Sequence, residues 1–467
     1  MKGEPKEIQE SFTEKPQYTL EDLVVEGTCK MQKFFKAIVI AVLTGEARLM
    51  LKKHQPFIIA VTGSVGKTTT KDAIFQVLKD TGSVRKSEKS FNSELGVPLT
   101  ILDLPNAWHD PLGWTRVLAI GCWRALFLRE YPKTLVLEVG AQYPGDIKRI
   151  ARWLCPDIAI ITRLPERPTH AEYFASPDEV KKEKAELLWA LKKGGVFIGC
   201  ADDPHVIELL SQTKAKPLLF GFHPEATVRG GEIMSFYEEA DGEKVPAGIT
   251  FFISYPGVNE RITLRGVLGT PPAFAALTAF AVGIAQQVAP DEIAKALLTF
   301  ETPPGRMRII AGKNASVLID DSYNSSPVAA EEALKTLRAL SGKRKIAMLG
   351  DMLELGEFAE EEHKKVGRMA GEFVDLLVTV GKRARWIAEG ARGVVLAKEK
   401  IQEFADSESA GKWMAENLLR GDVILLKGSQ GSGENMIRME RAVKLLMAHP
   451  EDASKLLVRQ EDEWSRH

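Results

Sequence analysis

The sequence predicts an α/β protein made of two successive units, each built on a parallel sheet. Short apolar runs such as FIIAVTG and TLVLEVG alternate with helical patterns, which is typical of strands covered on both faces. The alternation starts again after TPPGR, at residues 302–306, with SVLID and DVILLKG. We therefore expect a central domain over residues 56–301 and a Rossmann-like C-terminal domain over residues 302–467.

Residues 1–55 predict a short helical region that follows a polar start. The opening MKGEPKEIQESFTEKP mixes both charge signs and lacks the apolar core of a secretory signal. The apolar stretch FFKAIVIAVLTG is interrupted by Lys36 and is shorter than the roughly 20 residues of a spanning helix. We expect a helix packed against the next domain, and a peripheral membrane contact through residues 20–55 is the alternative.

Composition narrows the class of protein. The 62 Lys and Arg residues balance 63 Asp and Glu residues, so no global charge attracts nucleic acid. The four cysteines lie far apart, without the spacing of a metal site or a disulfide framework. We therefore expect a cytoplasmic protein without a nucleic-acid partner.

The first strand of the central domain runs into a glycine turn and a helix, as in a phosphate-binding loop. Val61 stands where the longer form of that motif has its first glycine. Lys67 supplies a mobile charge for phosphates, and Thr68 places a hydroxyl on Mg²⁺ at the helix N-terminus. The alternative is a purely structural glycine turn. The predicted nucleotide-binding residues of the loop are Gly63, Ser64, Val65, Gly66, Lys67, Thr68 and Thr69.

Residues 227–265 differ from the rest of the central domain. They are rich in glycine and carry short alternating runs, such as GITFFISYPG and RITLRG. Alternation of this kind predicts strands with one exposed face, so we expect a small antiparallel patch here.

The shortened phosphate loop resembles that of the Mur ligases, the ATP-dependent amide-bond ligases of peptidoglycan precursor synthesis. Further blocks follow in the family's order: FNSELGVPLTIL, LEVGAQYPGDI, HAEYFASPDEVKKEKAELL, PPGRMRII, VLIDDSYNSSP, LGDMLELGEFAEEEH and LLKGSQG. The resemblance covers about residues 56–440. It is closest to the members that add D-alanyl-D-alanine, because DDSYN and GDMLELG separate these from their relatives.

The resemblance implies a binding site for ATP and two Mg²⁺ ions. Thr68, Glu138, His170 and Lys184 are the implied metal ligands, with Lys184 carbamylated by CO₂ into an anion. Lys67, His170 and Lys184 are the implied catalytic residues. Alternatively, Glu138 is an ordinary surface acid at the end of a strand, and His170 has only a structural role. Lys181 and Lys182 are the other candidates for the carbamylated lysine, and the spacing from His170 favours Lys184.

The later blocks imply further ligands. Arg306 is implied to pair with a nucleotide phosphate, and Asp321 to contact the ribose or position the nucleotide. A hinge role for Arg306 and a strand cap at Asp321 are the alternatives. Asn92, Asn324 and Lys427 are the predicted substrate-binding residues. Lys427 ends a strand, and open sheets bind ligands at the carboxyl ends of their strands; Asn324 is expected in a turn that lines the same cleft, and Asn92 belongs to the FNSELGVPLTIL block of the resemblance.

The implied reaction is acyl activation, with closure of the C-terminal unit near residues 301–306 excluding water. A substrate carboxylate attacks the γ-phosphorus of ATP, and an amine then displaces phosphate from the acyl phosphate. We expect addition of D-alanyl-D-alanine to a muramoyl-peptide precursor. The alternatives are a related ligase with a lipid-linked, folate-like or cyanophycin-like acceptor, and a catalytically silent nucleotide-binding protein.

Three departures from the family's pattern keep those alternatives open. The N-terminal region is shorter than the family's UDP-sugar domain. Pro271, Pro272 and Ala275 stand where a histidine–asparagine block helps to hold the nucleotide. Gln430 stands where the family has arginine.

Overall fold

Two sheets organise the chain, as the computed structural model shows. It describes residues 20–88, 91–108, 110–166, 171–240, 242–431 and 436–461, with side chains of the first helix from Phe34. The ten strands of the first sheet are β1 (Phe57–Thr62), β2 (Val84–Lys86), β3 (Thr134–Glu138), β4 (Ile158–Ile161), β5 (Val196–Cys200), β6 (Lys216–Gly221), β7 (Val228–Gly230), β8 (Met234–Ala240), β9 (Glu243–Tyr255) and β10 (Val258–Arg265).

The strand order of the first sheet is β10-β9-β7-β6-β5-β4-β1-β3-β2, with β8 paired to β9. Strands β1 to β7 pair in parallel, and their apolar runs are buried on both faces. The predicted antiparallel patch is present as β8, β9 and β10, and β7 joins it to the parallel part. It is therefore an extension of the main sheet.

The second sheet has six strands in the order β11-β12-β16-β13-β14-β15. All neighbours pair in parallel except β11, which runs antiparallel to β12. The predicted α/β fold class is confirmed. The strands are β11 (Arg308–Ala311), β12 (Val317–Asp321), β13 (Arg344–Gly350), β14 (Leu376–Val380), β15 (Ile401–Phe404) and β16 (Asp422–Lys427).

Helices cover both faces of each sheet. Helix α8 packs against α2, and its apolar residues join the core under the phosphate loop. The helices around the first sheet are α1 (Leu20–His54), α2 (Lys67–Leu78), α3 (Gly96–Leu102), α4 (Pro111–Phe127), α5 (Asp146–Leu154), α6 (Pro177–Trp189), α7 (Pro204–Glu208), α8 (Thr270–Ala285) and α9 (Pro290–Leu298). Those around the second are α10 (Pro327–Ala339), α11 (Ala359–Gly371), α12 (Arg385–Arg392), α13 (Ser407–Glu416), α14 (Glu440–Leu446) and α15 (Ala453–Leu456).

Helix α1 packs against α3 and α4 through a buried apolar stripe. Val39, Leu43, Ala47 and Met50 follow one another at helical spacing and join the core behind β1 and β3. Within the described ranges, no helix combines the length and apolarity needed to cross a membrane. The predicted membrane-surface contact of residues 20–55 stays a prediction at this point.

We expect Leu43→Ala to lower the free energy of unfolding by about 2–5 kcal/mol, because it empties a fully buried site between α1 and the sheet. Leu49→Ala is the matched control. Leu49 lies on the same helix and is exposed, so its loss is expected to change stability by less than about 0.5 kcal/mol. Chemical denaturation measures both. Equal effects would contradict the docking of α1.

Candidate active site

The turn between β1 and α2 has the backbone of a phosphate cradle. Gly63 and Gly66 have φ angles of 141° and 84°, which side chains rarely adopt. A Cβ atom on Gly63 would lie 2.0 Å from the hydroxyl oxygen of Thr162. That hydroxyl donates to the Val65 carbonyl at 2.7 Å and so supports the turn from behind. The loop therefore has the glycine geometry that presents N–H groups to an anion.

Polar side chains of the loop line the same turn. The Lys67 ammonium donates to the Gly63 carbonyl at 2.9 Å, so the side chain folds back over the loop. The Ser64 hydroxyl is buried and has no partner among the described residues. Thr68 is half-buried in the first turn of α2, where the helix dipole favours an anion. These groups fit a phosphate and the metal ion that accompanies it.

Glu138 lies at the carboxyl end of β3, beside the phosphate loop. It stands opposite Val61 in the parallel register of β1 and β3, and its side chain is buried. One carboxylate oxygen accepts from the Asn92 amide at 2.9 Å, and the other has no partner among the described residues. An unpaired buried carboxylate oxygen is costly unless a ligand satisfies it. Its position fits a divalent cation.

Asn92 is a predicted substrate ligand, and the structure gives it a different set of contacts. Its amide nitrogen donates to Glu138, and its backbone carbonyl accepts from the Gly140 N–H at 2.8 Å. Asn92 therefore orients the carboxylate of Glu138 from the loop that follows β2. Its predicted substrate contact stays a prediction.

Lys184 is a buried lysine on α6, and Lys182, two residues before it and on the other side of the helix, is exposed. Burial and the nearby charge of Lys67 lower the pKa of Lys184 to about 7, and Glu183 opposes that shift. A lysine with such a pKa has a neutral, nucleophilic amine in a large share of molecules at neutral pH. His170, the predicted partner of Lys184, lies outside the described residues.

Charged residues of both units lie close enough to Lys67 to shift its pKa. Burial lowers the pKa of Lys67, the charges of Glu138 and Glu354 oppose this shift, and that of Arg306 reinforces it. Arg306 and Glu354 belong to the C-terminal unit, so that unit lies against the phosphate loop. A cluster of perturbed groups in a cleft is typical of a catalytic site.

Arg306 is held at the boundary between the units by an aromatic ring. Its guanidinium carbon lies 4.0 Å from the ring centroid of Tyr323, and its Nε atom is buried without a partner among the described residues. An unsatisfied guanidinium N–H next to a phosphate loop fits the predicted phosphate contact.

Asp321 and Lys427 form a buried ion pair at the ends of β12 and β16, next to the backbone of the exposed residue Asn324. The Lys427 ammonium donates to the Asp321 carboxylate at 2.5 Å and to the Asn324 carbonyl at 3.0 Å. The Asp321 carboxylate also accepts from the Met307 N–H at 3.2 Å. These contacts fix the loop after Arg306, so they position that arginine. The predicted ligand contacts of the three residues stay predictions.

A narrow cleft lies beside the phosphate loop and between the two units. Gly66 and Thr70 form one side, Arg163 and Phe274 the floor, and Glu332 the side from the C-terminal unit. The guanidinium carbon of Arg163 lies 5.5 Å from the Phe274 ring centroid. A largely apolar cleft with a few polar groups suits a flat heterocycle such as a nucleotide base.

Pro271, Pro272 and Ala275, three residues that depart from the family's pattern, all lie on α8, which lines this cleft. Pro271 lines it in the first turn of α8, where a missing N–H costs nothing. Ala275 is buried in the core below. At Pro271 the cleft is therefore apolar where the family's pattern has polar side chains, and Phe274 of the same helix and Arg163 also line it.

Glu183 is a functional residue that the sequence did not reveal. Its carboxylate accepts from the N–H groups of Gly145, Ile147 and Lys148 at 2.8, 2.6 and 3.1 Å. It therefore caps α5 from the adjacent helix α6 and fixes the position of Lys184. A cap supplied from another helix leaves no local sequence pattern, so sequence reasoning had no signal for it.

Glu183→Ala is expected to lower the free energy of unfolding by about 1–3 kcal/mol, because it leaves three N–H groups without an acceptor. Glu186→Ala on the same helix is the control. It removes only a partly exposed ion pair to Lys148, so its expected cost is below about 1 kcal/mol. Denaturation with urea compares the two variants, and an equal loss would argue against the cap.

Comparison with known proteins decides the family. Residues 61–112 and 118–281 match the Mur ligase middle domain, and residues 305–430 match the Mur ligase glutamate ligase domain. The UDP-N-acetylmuramoyl-tripeptide–D-alanyl-D-alanine ligase of Bacillus subtilis is 30% identical over 406 residues, which are 86% of this chain and 79% of that protein. The chain belongs to the Mur ligase family.

Other relatives agree with this assignment. The ligase of the same name from Mycobacterium tuberculosis is 30% identical over 399 residues, covering 80% of this chain and 71% of that protein. The crystal structure of MurF from Acinetobacter baumannii has a TM-score of 0.69 at 25% identity, covering 84% of this chain and 78% of its own. MurF of Thermotoga maritima in complex with ADP, at 23% identity and a TM-score of 0.69, has the same fold.

The predicted family, and the resemblance to its D-alanyl-D-alanine-adding members, are confirmed. This Mur ligase is an ATP-dependent, ADP-forming ligase that uses Mg²⁺ and acts on small-molecule substrates. The predicted cytoplasmic location, the individual site residues and the domain boundaries stay predictions.

Proposed function

We propose that this Mur ligase joins D-alanyl-D-alanine to the peptide of a muramoyl-peptide precursor. One observation carries the proposal: the phosphate loop, the unpaired oxygen of Glu138 and the buried amine of Lys184 meet around Lys67. Relatives that add D-alanyl-D-alanine to UDP-N-acetylmuramoyl-tripeptide support the choice of substrate.

In the first step, residues of the chain bind the phosphates of ATP and neutralise their charge. The loop N–H groups and Lys67 bind the phosphates of ATP, and Arg306 neutralises charge from the C-terminal side. Thr68 and Glu138 would hold Mg²⁺, which neutralises charge on the γ-phosphoryl group. The substrate carboxylate attacks the γ-phosphorus, ADP leaves, and an acyl phosphate forms. The amine of D-alanyl-D-alanine then attacks the acyl carbon, and phosphate leaves as the amide forms.

Lys184 is proposed to carry a carbamate. The ammonium first loses a proton, and the neutral amine then attacks CO₂: a C–N bond forms, one C=O π bond of CO₂ breaks, and a second proton is released, so that the side chain ends as an anion. That anion faces Lys67, whose charge stabilises it. With His170 it would complete the second metal site that the resemblance implies.

Carbamylation is expected to increase with pH. Lys184 has a pKa of about 7 instead of 10.5, so the neutral amine rises from a minority to a majority between about pH 6 and pH 8. We expect kcat at low bicarbonate to rise over this range, and saturating bicarbonate to flatten the rise. A pH profile at two bicarbonate concentrations measures this. A profile independent of bicarbonate would contradict the carbamate.

A different muramoyl acceptor is the second candidate. The match to the Bacillus subtilis protein spans 79% of that protein. Here α1 packs directly on α3 and α4 of the central unit. A lipid-linked muramoyl peptide is the acceptor that this arrangement leaves open.

Phosphate release from ATP with Mg²⁺ and bicarbonate tests the proposal. D-alanyl-D-alanine and UDP-muramoyl-tripeptide are added singly and together. Release and a new amide that require both substrates are the expected result. ATP binding without release, detected as a rise in Tm, would contradict the UDP-linked acceptor. The same assay with a lipid-linked muramoyl peptide then tests the second candidate, and failure with both acceptors leaves a silent nucleotide-binding protein.

A further inference from the structure

Helix α1 has an exposed apolar stripe on the side that faces away from the core. Phe34, Phe35, Ile38, Val42 and Leu49 are all exposed, and the side chain of Phe34 is 69% accessible. From Ile38 onward these residues recur at helical spacing, opposite the buried stripe of Leu43 and Met50. From Phe34 onward helix α1 is therefore apolar on two sides, and one of these sides packs against other described residues.

Helix α4 repeats the same arrangement. Leu112, Trp123, Leu126 and Phe127 are exposed, with Leu112 79% and Phe127 63% accessible. The buried residues Trp114, Val117 and Ala125 lie on the opposite side. The ring centroids of Trp123 and Phe127 lie 6.3 Å apart, so the end of α4 carries a cluster of exposed apolar side chains. A cluster of this kind indicates an interaction site.

The two stripes lie on adjacent helices that run in the same direction. A Cβ atom on Gly121 of α4 would meet the Glu46 carboxylate of α1, and the Lys53 ammonium of α1 donates to the Leu128 carbonyl just after α4. Residue numbers increase in the same direction along both helices from one contact to the next, so α1 and α4 are parallel. We call the exposed stripes of Phe34–Lys53 and Leu112–Phe127 the α1–α4 face.

The charges of the α1–α4 face have one sign. Lys36, Arg48, Lys52 and Arg116 are exposed, and none of the exposed residues described on either helix is acidic. Glu46 is the sole acid of α1 from Phe34 to His54, the part whose side chains the structure describes, and its Oε2 atom is buried. Three further acids, Glu21, Asp22 and Glu26, lie earlier in α1. Asp110 and Glu130 flank α4 at its two ends.

From this geometry we propose that the α1–α4 face binds the surface of an anionic lipid bilayer. Apolar and aromatic side chains enter the boundary between headgroups and acyl chains, and the surrounding lysines and arginines contact anionic headgroups. A second copy of the chain fits less well, because two-fold pairing would bring the basic residues of both copies together. The proposal does not depend on the ligase activity or on its acceptor.

Vesicle co-sedimentation of the full chain tests the proposal. We expect binding to phosphatidylglycerol vesicles at least about tenfold tighter than to phosphatidylcholine vesicles, and weaker binding in high salt. The double variant Trp123→Ser/Phe127→Ser is expected to lose binding. Its matched control is Val395→Ser/Leu419→Ser, which removes two exposed apolar side chains of the C-terminal unit and is expected to bind normally.

A charge variant tests the electrostatic part separately. Arg48→Glu is expected to weaken binding to phosphatidylglycerol by about fivefold or more, as expected for one basic residue near the surface. Lys398→Glu makes the same change of net charge on an exposed site of the C-terminal unit and is expected to bind as the unaltered chain does. Phosphate release and Tm confirm that each variant is folded.

Several results would overturn the proposal. They are equal binding to both vesicle types, no binding to either, and unchanged binding of Trp123→Ser/Phe127→Ser. Light scattering in the absence of lipid tests whether a second copy of the chain occupies the α1–α4 face instead. A dimer that this double variant converts to a monomer, together with no vesicle binding, would assign the α1–α4 face to self-association.

Discussion

Lys184→Met is expected to lower kcat by about 10²–10³-fold, because it removes the group that becomes the proposed metal-binding anion. Methionine keeps an unbranched stem in the buried site, so packing changes little. Steady-state phosphate release with both substrates measures the loss. ATP binding is expected to persist, since Lys67 and the loop are unchanged.

Lys182→Ala is the control for this prediction. Lys182 lies two residues away on the same helix and is exposed, so its loss is expected to leave kcat within about twofold. Lys184→Ala adds a second test, because its smaller side chain leaves room for a short carboxylate. Partial rescue by added formate or acetate is expected. Equal effects at positions 182 and 184 would contradict the assignment of the carbamate to Lys184.

Glu138→Gln is expected to reduce kcat/KM by about 10²–10³-fold and to raise the Mg²⁺ concentration that gives half-maximal activity. The amide keeps the size of the side chain and removes the charge of the buried oxygen that has no partner. Titration with Mg²⁺ at fixed ATP measures the shift. If the altered enzyme had the same Mg²⁺ dependence, Glu138 would not hold the metal.

Asn92→Ala provides a graded comparison. It removes the amide that donates to Glu138 at 2.9 Å but keeps the carboxylate. We expect a smaller loss, about tenfold to a hundredfold, and a smaller rise in the required Mg²⁺ concentration. A change in KM for the muramoyl peptide alone would instead support the predicted substrate contact of Asn92.

Local patterns were enough to predict the fold class and the phosphate loop. The apolar runs that form β1, β3 and β4 are buried on both faces. A strand buried on both faces has an uninterrupted apolar sequence, which can be read directly. The glycines at 63 and 66 have the unusual φ angles that their motif requires. These features depend on neighbours in sequence, so the sequence contains them directly.

Contacts between distant segments were beyond sequence reasoning. The cap that Glu183 provides to α5 joins two helices, and the pair formed by Asp321 and Lys427 joins two strands about a hundred residues apart. Glu183 lies in a charged helical segment, and Asp321 and Lys427 end apolar strands, so the local sequence around each gives no sign of these contacts. The exposed side of α4 was missed for a related reason, since an apolar helix predicts burial until its packing partners are known.

Transfer of oxygen from the acceptor carboxylate to phosphate tests the central claim most directly. The muramoyl-peptide carboxylate is labelled with ¹⁸O, and the phosphate released during ligation with D-alanyl-D-alanine is analysed by mass spectrometry. An acyl phosphate predicts one labelled oxygen in the phosphate for each amide formed, because the attacking carboxylate oxygen leaves with the phosphorus. Unlabelled phosphate, or labelled phosphate without amide, would contradict the account of this chain as an acyl-phosphate ligase.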